Sequence, residues 1–349
     1  MAMLQLRHYS CELEFEHPFT TAKGTKTHQP TFIVSLGLAG MYGYGEAPAI
    51  SYYNITTADM VASLESKRTM IERYALTDPQ RFWHFLHHLI PGQHFLTAAL
   101  DIAGWDLFAQ MRRMPLYKLL GLTWPPNIVT DYTIGLDEPA AMLHKLQQHP
   151  WPVYKIKCAT PADVEKVALI RANTNARLRV DANEGWTIDD ARKILPELAR
   201  LGVELVEQPL HRDAWDEMKE LKAISPLPLI ADESCKTEDE VKKCAEAFHG
   251  INIKLTKCGG ITPALRMIKE ARTLGMRVMM GSMSESTVGT AAVAHMLPLL
   301  DDVDADGPLL LKEDVAEGLK YEEGKLLISG APGLGIRFTG KRAANGFGG

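Results

Sequence analysis

Five short runs decide the fold: VYKIK (153–157), RLRVDAN (177–183), VELVEQP (203–209), PLIADES (228–234) and INIK (251–254). Each is rich in strand-forming residues and carries a charge at its end, namely Lys157, Asp181, Glu207, Asp232 and Lys254. These charges recur roughly every 25 residues, the length of one strand plus one helix. Further β-rich runs lie at 128–134, 277–280 and 301–305, with amphipathic segments between them. TPAD (160–163), TIDD (187–190) and TEDE (237–240) each have the form of a capping box. Thr262 and Pro263 would put proline at a first helical position, and Gly202, Gly250 and Gly275 fall where helices should stop. Eight strands alternating with helices predict a closed parallel barrel. The rival, an open doubly wound sheet, lacks a Gly-x-Gly-x-x-Gly between a strand and a helix.

Upstream, segments 3–16 and 30–38 alternate like strands and 37–45 reads as turns. Helical periodicity covers 58–75 and 97–120, the second closed by Gly121. Pro125 and Pro126 break the pattern in a linker. The expected organisation is an N-terminal α+β capping domain (1–122), a barrel (123–320) and a C-terminal segment (321–349).

The chain has 349 residues, 46% hydrophobic and 23% charged, with 38 Lys+Arg against 43 Asp+Glu. The net charge of −5, with no long run of one sign, argues against a nucleic-acid partner. No run of apolar residues is long enough to cross a membrane, and the N-terminus lacks a signal-peptide stretch. Five scattered cysteines without a Cys-x-x-Cys fit reduced thiols, so a cytoplasmic protein is expected.

Strand C-termini in such barrels converge on one mouth, where active sites are built. A charged strand end can simply mark where a buried strand reaches water, but three carboxylates on consecutive strands between lysines ask for more. Asp181, Glu207 and Asp232 could share one hard cation, Mg²⁺ first and Mn²⁺ second; with no His or Cys among these strand ends, zinc is disfavoured. Lys157 on the second strand and Lys254 on the sixth would flank a bound ligand from opposite sides, as a racemase or epimerase needs. Lys257 competes with Lys254 but precedes a Gly-Gly loop. Lys155 shares a face with Lys157, and with the cation should lower a lysine pKa. A positioned base supplies about 10²–10⁴ in rate, or roughly 3–5 kcal/mol, of the about 8–23 that enzymes find. Electrostatic stabilisation of an enediolate by the cation and Lys155 must therefore contribute more than either base.

Taken in order, Lys155-Ile156-Lys157, Asp181-Ala182-Asn183, Glu207-Gln208-Pro209, Ala231-Asp232-Glu233 and Asn252-Ile253-Lys254 resemble the enolase superfamily, in its muconate-lactonizing subgroup. The resemblance implies a (β/α)₇β-type TIM barrel with an α+β cap and a tail that returns to the cap. It also implies one Mg²⁺ per subunit on Asp181, Glu207 and Asp232, and Lys157 and Lys254 as the two bases. Asp304-Ala305-Asp306 is similar to the Asp-x-Asp with which dipeptide epimerases hold the substrate's α-ammonium group. Lys155, Thr133, Met283 and Ser284 match further substrate contacts. In the cap loop 20–26, Lys23 or Lys26 would meet an acidic second side chain, as in L-Ala-D/L-Glu. The implied protein is a homo-oligomeric Mg²⁺-dependent dipeptide epimerase of peptidoglycan recycling, working by 1,1-proton transfer. Within the same scaffold the alternatives are an o-succinylbenzoate synthase, an N-acylamino acid racemase, a cycloisomerase or an epimerase of other dipeptides. A non-catalytic binding barrel is a rival from another class.

Overall fold

The computed structural model describes residues 3–340; positions 1, 2 and 341–349 of the expected cap and tail lie outside the described residues. The cap opens with β1 (Gln5–Thr21), β2 (Gly24–Leu38) and β3 (Met41–Pro48) in one antiparallel sheet. It continues with α1 (Thr57–Glu72), α2 (Pro79–Leu89), α3 (His94–Met111) and the single turn α4 (Leu116–Leu119). Tyr9, Cys11, Leu13 and Phe15 alternate into the interior along β1, as the strand period requires.

Three expectations for this region fail for physical reasons. The stretch 37–45 is mostly strand rather than turn. Gly43 and Gly45 serve packing against α3: a Cβ on Gly45 would meet the Ala99 carbonyl at 1.9 Å. The helix expected at 97–120 stops at Met111, where Arg113 turns left-handed (φ 53°) and Pro115 follows. Helix α2 falls outside the expected helices, although the Asp78 side chain caps it and Pro79 stands in its first turn. Every residue from Phe95 to Ala109 in α3 is buried between the cap sheet and the barrel, so that helix shows no amphipathic stripe.

The barrel strands are β4 (Tyr132–Ile134), β5 (Val153–Lys157), β6 (Arg177–Asp181), β7 (Val203–Glu207), β8 (Leu229–Ala231), β9 (Gly250–Ile253), β10 (Arg277–Met280) and β11 (Asp302–Val303). They pair in that sequence, all parallel. A parallel bridge between Thr130 and Val303 joins the first strand to the last and closes the ring. Between the strands run α5 (Pro139–Gln148), α6 (Val164–Asn173), α7 (Ile188–Arg200), α8 (Trp215–Ile224), α9 (Val241–Ala247), α10 (Leu255–Cys258) with α11 (Ile261–Thr273), and α12 (Thr287–Ala294). Among the described residues no α-helix follows β11, which gives the (β/α)₇β form.

All three capping boxes form. Gly202 (φ 73°) and Gly275 (φ 68°) end helices in the left-handed region. Gly250, expected to do the same, is instead the first residue of β9, and Pro263 is the third residue of α11 rather than the first. Buried carboxylates pin the cap to the barrel. Glu46 accepts hydrogen bonds from the Ser286 and Gly289 amides and the Ser286 hydroxyl, and Asp101 from the Thr262 amide and hydroxyl. In the tail, the Leu334 amide donates to Asp106 and the Phe338 ring lies 4.9 Å from that of Tyr9.

Candidate active site

Parallel register brings the charged strand ends to one level. Lys157 is the pairing partner of Asp181, and Asp181 of Glu207. Asp232 and Lys254 each stand one residue past their strands, and all of these side chains are buried. The Lys157 ammonium donates to Asp181 Oδ2 (2.6 Å) and that of Lys254 to Asp232 Oδ2 (2.7 Å). Lys257 donates to Asp232 Oδ1 (2.5 Å) and to the Asp232 carbonyl (2.6 Å), so it is a support behind that carboxylate. Lys254, not Lys257, lines the active-site cavity. Asn252 Nδ2 donates to Glu207 Oε1 (2.7 Å), while Glu207 Oε2 is buried with no hydrogen bond.

One expectation about this cluster needs correction. The oxygens of Asp181, Glu207 and Asp232 do not all come within 4.8 Å of one another; among the described residues the carboxylates that do so are Asp131, Asp304 and Asp306. The reason is that Asp181 and Asp232 are each turned toward a lysine. The three acids still act on one another. Burial and the charges of Asp181 and Asp232 push the Glu207 carboxyl up to about 8. An orphaned, fully buried oxygen with two acids crowding it is an all-oxygen donor set that fits a hard divalent cation. In contrast, the Asp131–Asp304–Asp306 group already holds two cations, since Lys155 donates to Asp304 and Arg179 to Asp131 (2.9 Å).

Among the protein's own groups, carboxylates set the charge state of two of the lysines. Burial pulls Lys155 and Lys254 down, but Asp304 and Glu207 around the first, and Asp232 and Glu207 around the second, outweigh it and hold both well above the usual lysine range. Lys155 meets Asp304 more closely than any like charge. At the last strand, burial with Asp304 and Asp131 drives the Asp306 carboxyl well above its ordinary value. It accepts the Thr133 amide at 2.6 Å, while Asp304 Oδ1 is buried without a partner. Lys155, Asp304 and Asp306 thus form a buried layer and do not line the cavity. Thr133 borders a separate narrow cleft with His17 and Phe19.

The cavity, about 80 Å³, brings together Lys157, Lys254, Met283, Ser284, Lys23 and Lys26. Met283 also packs into the apolar core of the cap, and the Tyr52 hydroxyl donates to its sulfur (3.6 Å). Ser284 is held left-handed (φ 64°), with its amide donating to Ser282 Oγ (2.8 Å). The two loop lysines differ in their company. Lys23 Nζ donates to Glu184 Oε2 (2.5 Å), which also takes a bond from Arg212, so its charge is spent on the barrel. Among the described residues Lys26 Nζ meets only the neutral Gln29 Oε1 (3.0 Å).

Sequence reasoning assigned no role to four residues here. Asn183 donates to Asp181 Oδ2 (3.2 Å) and lines the cavity; Asn252 orients Glu207; and Glu233, pushed up to about 7 by burial beside Asp232, faces Asn183 at 3.4 Å. All three lie inside the quoted motifs, which was the available signal. Glu184 had none, because its partner Lys23 is 161 residues away. Its left-handed backbone (φ 69°), next to that of Asn183 (φ 44°), is the strain that aims it at the cap.

Residues 6–121 match the mandelate racemase / muconate lactonizing enzyme N-terminal domain, and residues 139–342 match the enolase C-terminal domain-like family. An L-Ala-D/L-amino acid epimerase of Flavobacterium johnsoniae is 46% identical over 95% of this chain and 98% of its own. The substrate-liganded L-Ala-D/L-Glu epimerase from Bacillus subtilis superposes with a TM-score of 0.91 at 30% identity, covering 99% of this chain and all of that one. A dipeptide epimerase from Cytophaga hutchinsonii, complexed with Mg and D-Ala-L-Val, gives 0.91 at 28% identity over 99% and 98% of the two chains. With two domains matched end to end and these relatives covered almost in full, the chain belongs to the mandelate racemase / muconate lactonizing enzyme family of the enolase superfamily.

Proposed function

We propose that this protein is a Mg²⁺-dependent dipeptide epimerase, an isomerase that inverts the α-carbon of the C-terminal residue by 1,1-proton transfer. The observation that carries the reading is that Lys157, on the second barrel strand, and Lys254, after the sixth, both line one cavity. Strands two and six face each other across an eight-stranded ring, so the two ammonium groups approach a bound carbon from opposite sides. One lysine takes the proton as an amine and the other returns one as an ammonium ion to the far face.

Asp181, Glu207 and Asp232 would hold the metal, which supplies a fixed double charge and Lewis acidity toward the substrate carboxylate. Lys155 adds a buried positive charge beside Glu207 (3.9 Å), stabilising the developing enediolate in a site where water does not screen it. The dipeptide's α-ammonium group would enter the buried layer behind the cavity, where Asp304 has a free oxygen and Asp306 stands beside it. Ser284, Met283 and Thr133 would border the peptide between these ends. Lys23 would hold the loop closed through Glu184, leaving Lys26 as the cation that meets the second side chain. A loop with one of its two charges already neutralised supports L-Ala-Xaa dipeptides with a broad second residue, L-Ala-D/L-Glu among them, in line with the name of the Flavobacterium relative. The reading includes the cap 1–122, barrel 123–320 and tail 321–349 division, supported by the family matches at 6–121 and 139–342. A homo-oligomeric, cytoplasmic enzyme belongs to the same proposal; the five cysteines, all free, suit the reducing compartment.

Incubation with L-Ala-L-Glu and L-Ala-L-Leu in D₂O tests the reading. Deuterium should enter the α-position of the second residue, stop with a chelator and return with Mg²⁺. No exchange with any L-Ala dipeptide would remove the proposal.

A further inference from the structure

The ladder of β1 and β2 breaks between Glu14 and Phe19: Glu14 pairs with His28 and Phe19 with Lys26, so residues 15–18 stand opposite Thr27 alone. In a regular strand, consecutive side chains point to opposite faces. Here the bulge lets neighbours converge, which is a known use of bulges. One ligand atom each from Glu16, His17 and His149 lies within 4.8 Å of the other two. His149 sits at the C-terminus of α5 in the barrel, its amide donating to the Lys145 carbonyl (3.0 Å) and its ring stacked on Tyr132 at 4.8 Å. Among the described residues neither imidazole of the pair forms a hydrogen bond, so nitrogens of both are free to ligate. Lys145, the nearest cation of the adjoining cleft, is neutralised by Asp137 (3.2 Å).

We propose that Glu16, His17 and His149 form a metal site, distinct from the carboxylate cluster of the barrel mouth, that takes a transition-metal ion such as Zn²⁺ and clips the cap strand to the barrel. Two imidazoles and one carboxylate, with a fourth position open to water, are a donor set zinc accepts, and nitrogen ligands select zinc, copper or nickel over magnesium. Glu16 is exposed and His17 half-buried, so small side-chain rotations can bring the donors to bonding distance. The position matters because β1 passes directly into the hairpin end that carries Lys23 in its turn and Lys26 on β2, whose closure over the cavity such a clip would restrain.

The full-length protein, stripped by chelator, is dialysed against micromolar Zn²⁺ in millimolar Mg²⁺, and bound zinc is measured. The wild type should hold one Zn²⁺ per chain that His17→Ala and His149→Ala each lose, while Mg²⁺-supported proton exchange continues in both variants. Absence of zinc from the wild type, or its retention by both histidine variants, overturns the site. Should a histidine variant fail to fold, Glu16→Gln on the exposed arm carries the test: weakened zinc binding supports the site and unchanged binding overturns it.

Discussion

Replacing Lys23 with methionine keeps an unbranched side chain one atom shorter and removes the charge that reaches Glu184. That contact is a 2.5 Å ion pair with side-chain exposures of 27% for Lys23 and 5% for Glu184. An exposed pair contributes about 0.2–1 kcal/mol, and a hydrogen bond to a charged group about 1.5–3. Glu184 keeps both contacts to the Arg212 guanidinium (2.7 Å each), so the variant leaves no orphaned carboxylate. The cost should fall near about 1 kcal/mol, and since every 1.4 kcal/mol is tenfold, KM should rise about fivefold with kcat unchanged. Because the pair holds a loop and not a substrate, the rise should be the same for L-Ala-L-Glu and L-Ala-L-Leu, and salt should mimic it in the wild type. Arg212 and Lys23 hold the Glu184 carboxyl at about 2 against burial, below the ordinary 4.5. The sign is that of a depressed acid: the contribution is present above about 4.5 and is lost as pH falls toward 2. Steady-state kinetics with both dipeptides at two salt concentrations decides the matter. A large loss confined to the glutamyl substrate would show that Lys23 grips the substrate and that the latch reading is wrong.

Asp304→Asn, which neutralises the carboxylate that carries the free buried oxygen, should raise KM for free-amine dipeptides by about tenfold to 100-fold, from the loss of a charged hydrogen bond of about 1.5–3 kcal/mol. It should leave N-acylated substrates little changed; equal effects on both, measured by α-proton exchange, would refute the ammonium role. Asp101 is driven up to about 7 by burial, from an ordinary 3.8, and accepts two bonds from Thr262. A raised carboxyl stabilises the fold at low pH and loses that contribution as pH climbs from about 4 to 7. The stability gap between wild type and Asp101→Asn should therefore narrow between about pH 4.5 and about pH 7.5 in denaturant titrations, and a widening gap would contradict the assignment. Asn252→Leu strips the fully buried Glu207 side chain of the hydrogen bond it accepts from Asn252 at a cost of about 1–3 kcal/mol, so added Mg²⁺ should recover more melting temperature in this variant than in the wild type.

How much of this was legible in the sequence depends on the range of the interactions. The barrel was legible because each βα unit repeats local chemistry: a β-rich run, a capping box, a helix and a stop. The charged strand ends followed from the same periodicity, since parallel register needs no long-range information to place them at one mouth. What failed was tertiary. Gly43 and Gly45 read as turn residues, yet the close approach of α3 demands them. The turning of Asp181 and Asp232 toward lysines, the capture of Lys155 by Asp304 and the hold of Glu184 on Lys23 all join residues far apart in the chain. No local pattern encodes them.

The central claim is that Lys157 and Lys254 address opposite faces of one carbon, and separate exchange measurements on Lys157→Ala and Lys254→Ala test it most directly. Each variant should lose epimerisation by about 10²–10⁴, yet still exchange the α-proton of one epimer in D₂O, with the surviving epimer reversed between the two. If both variants retain exchange on the same epimer, or lose it on both, the lysines do not stand on opposite sides and the account fails.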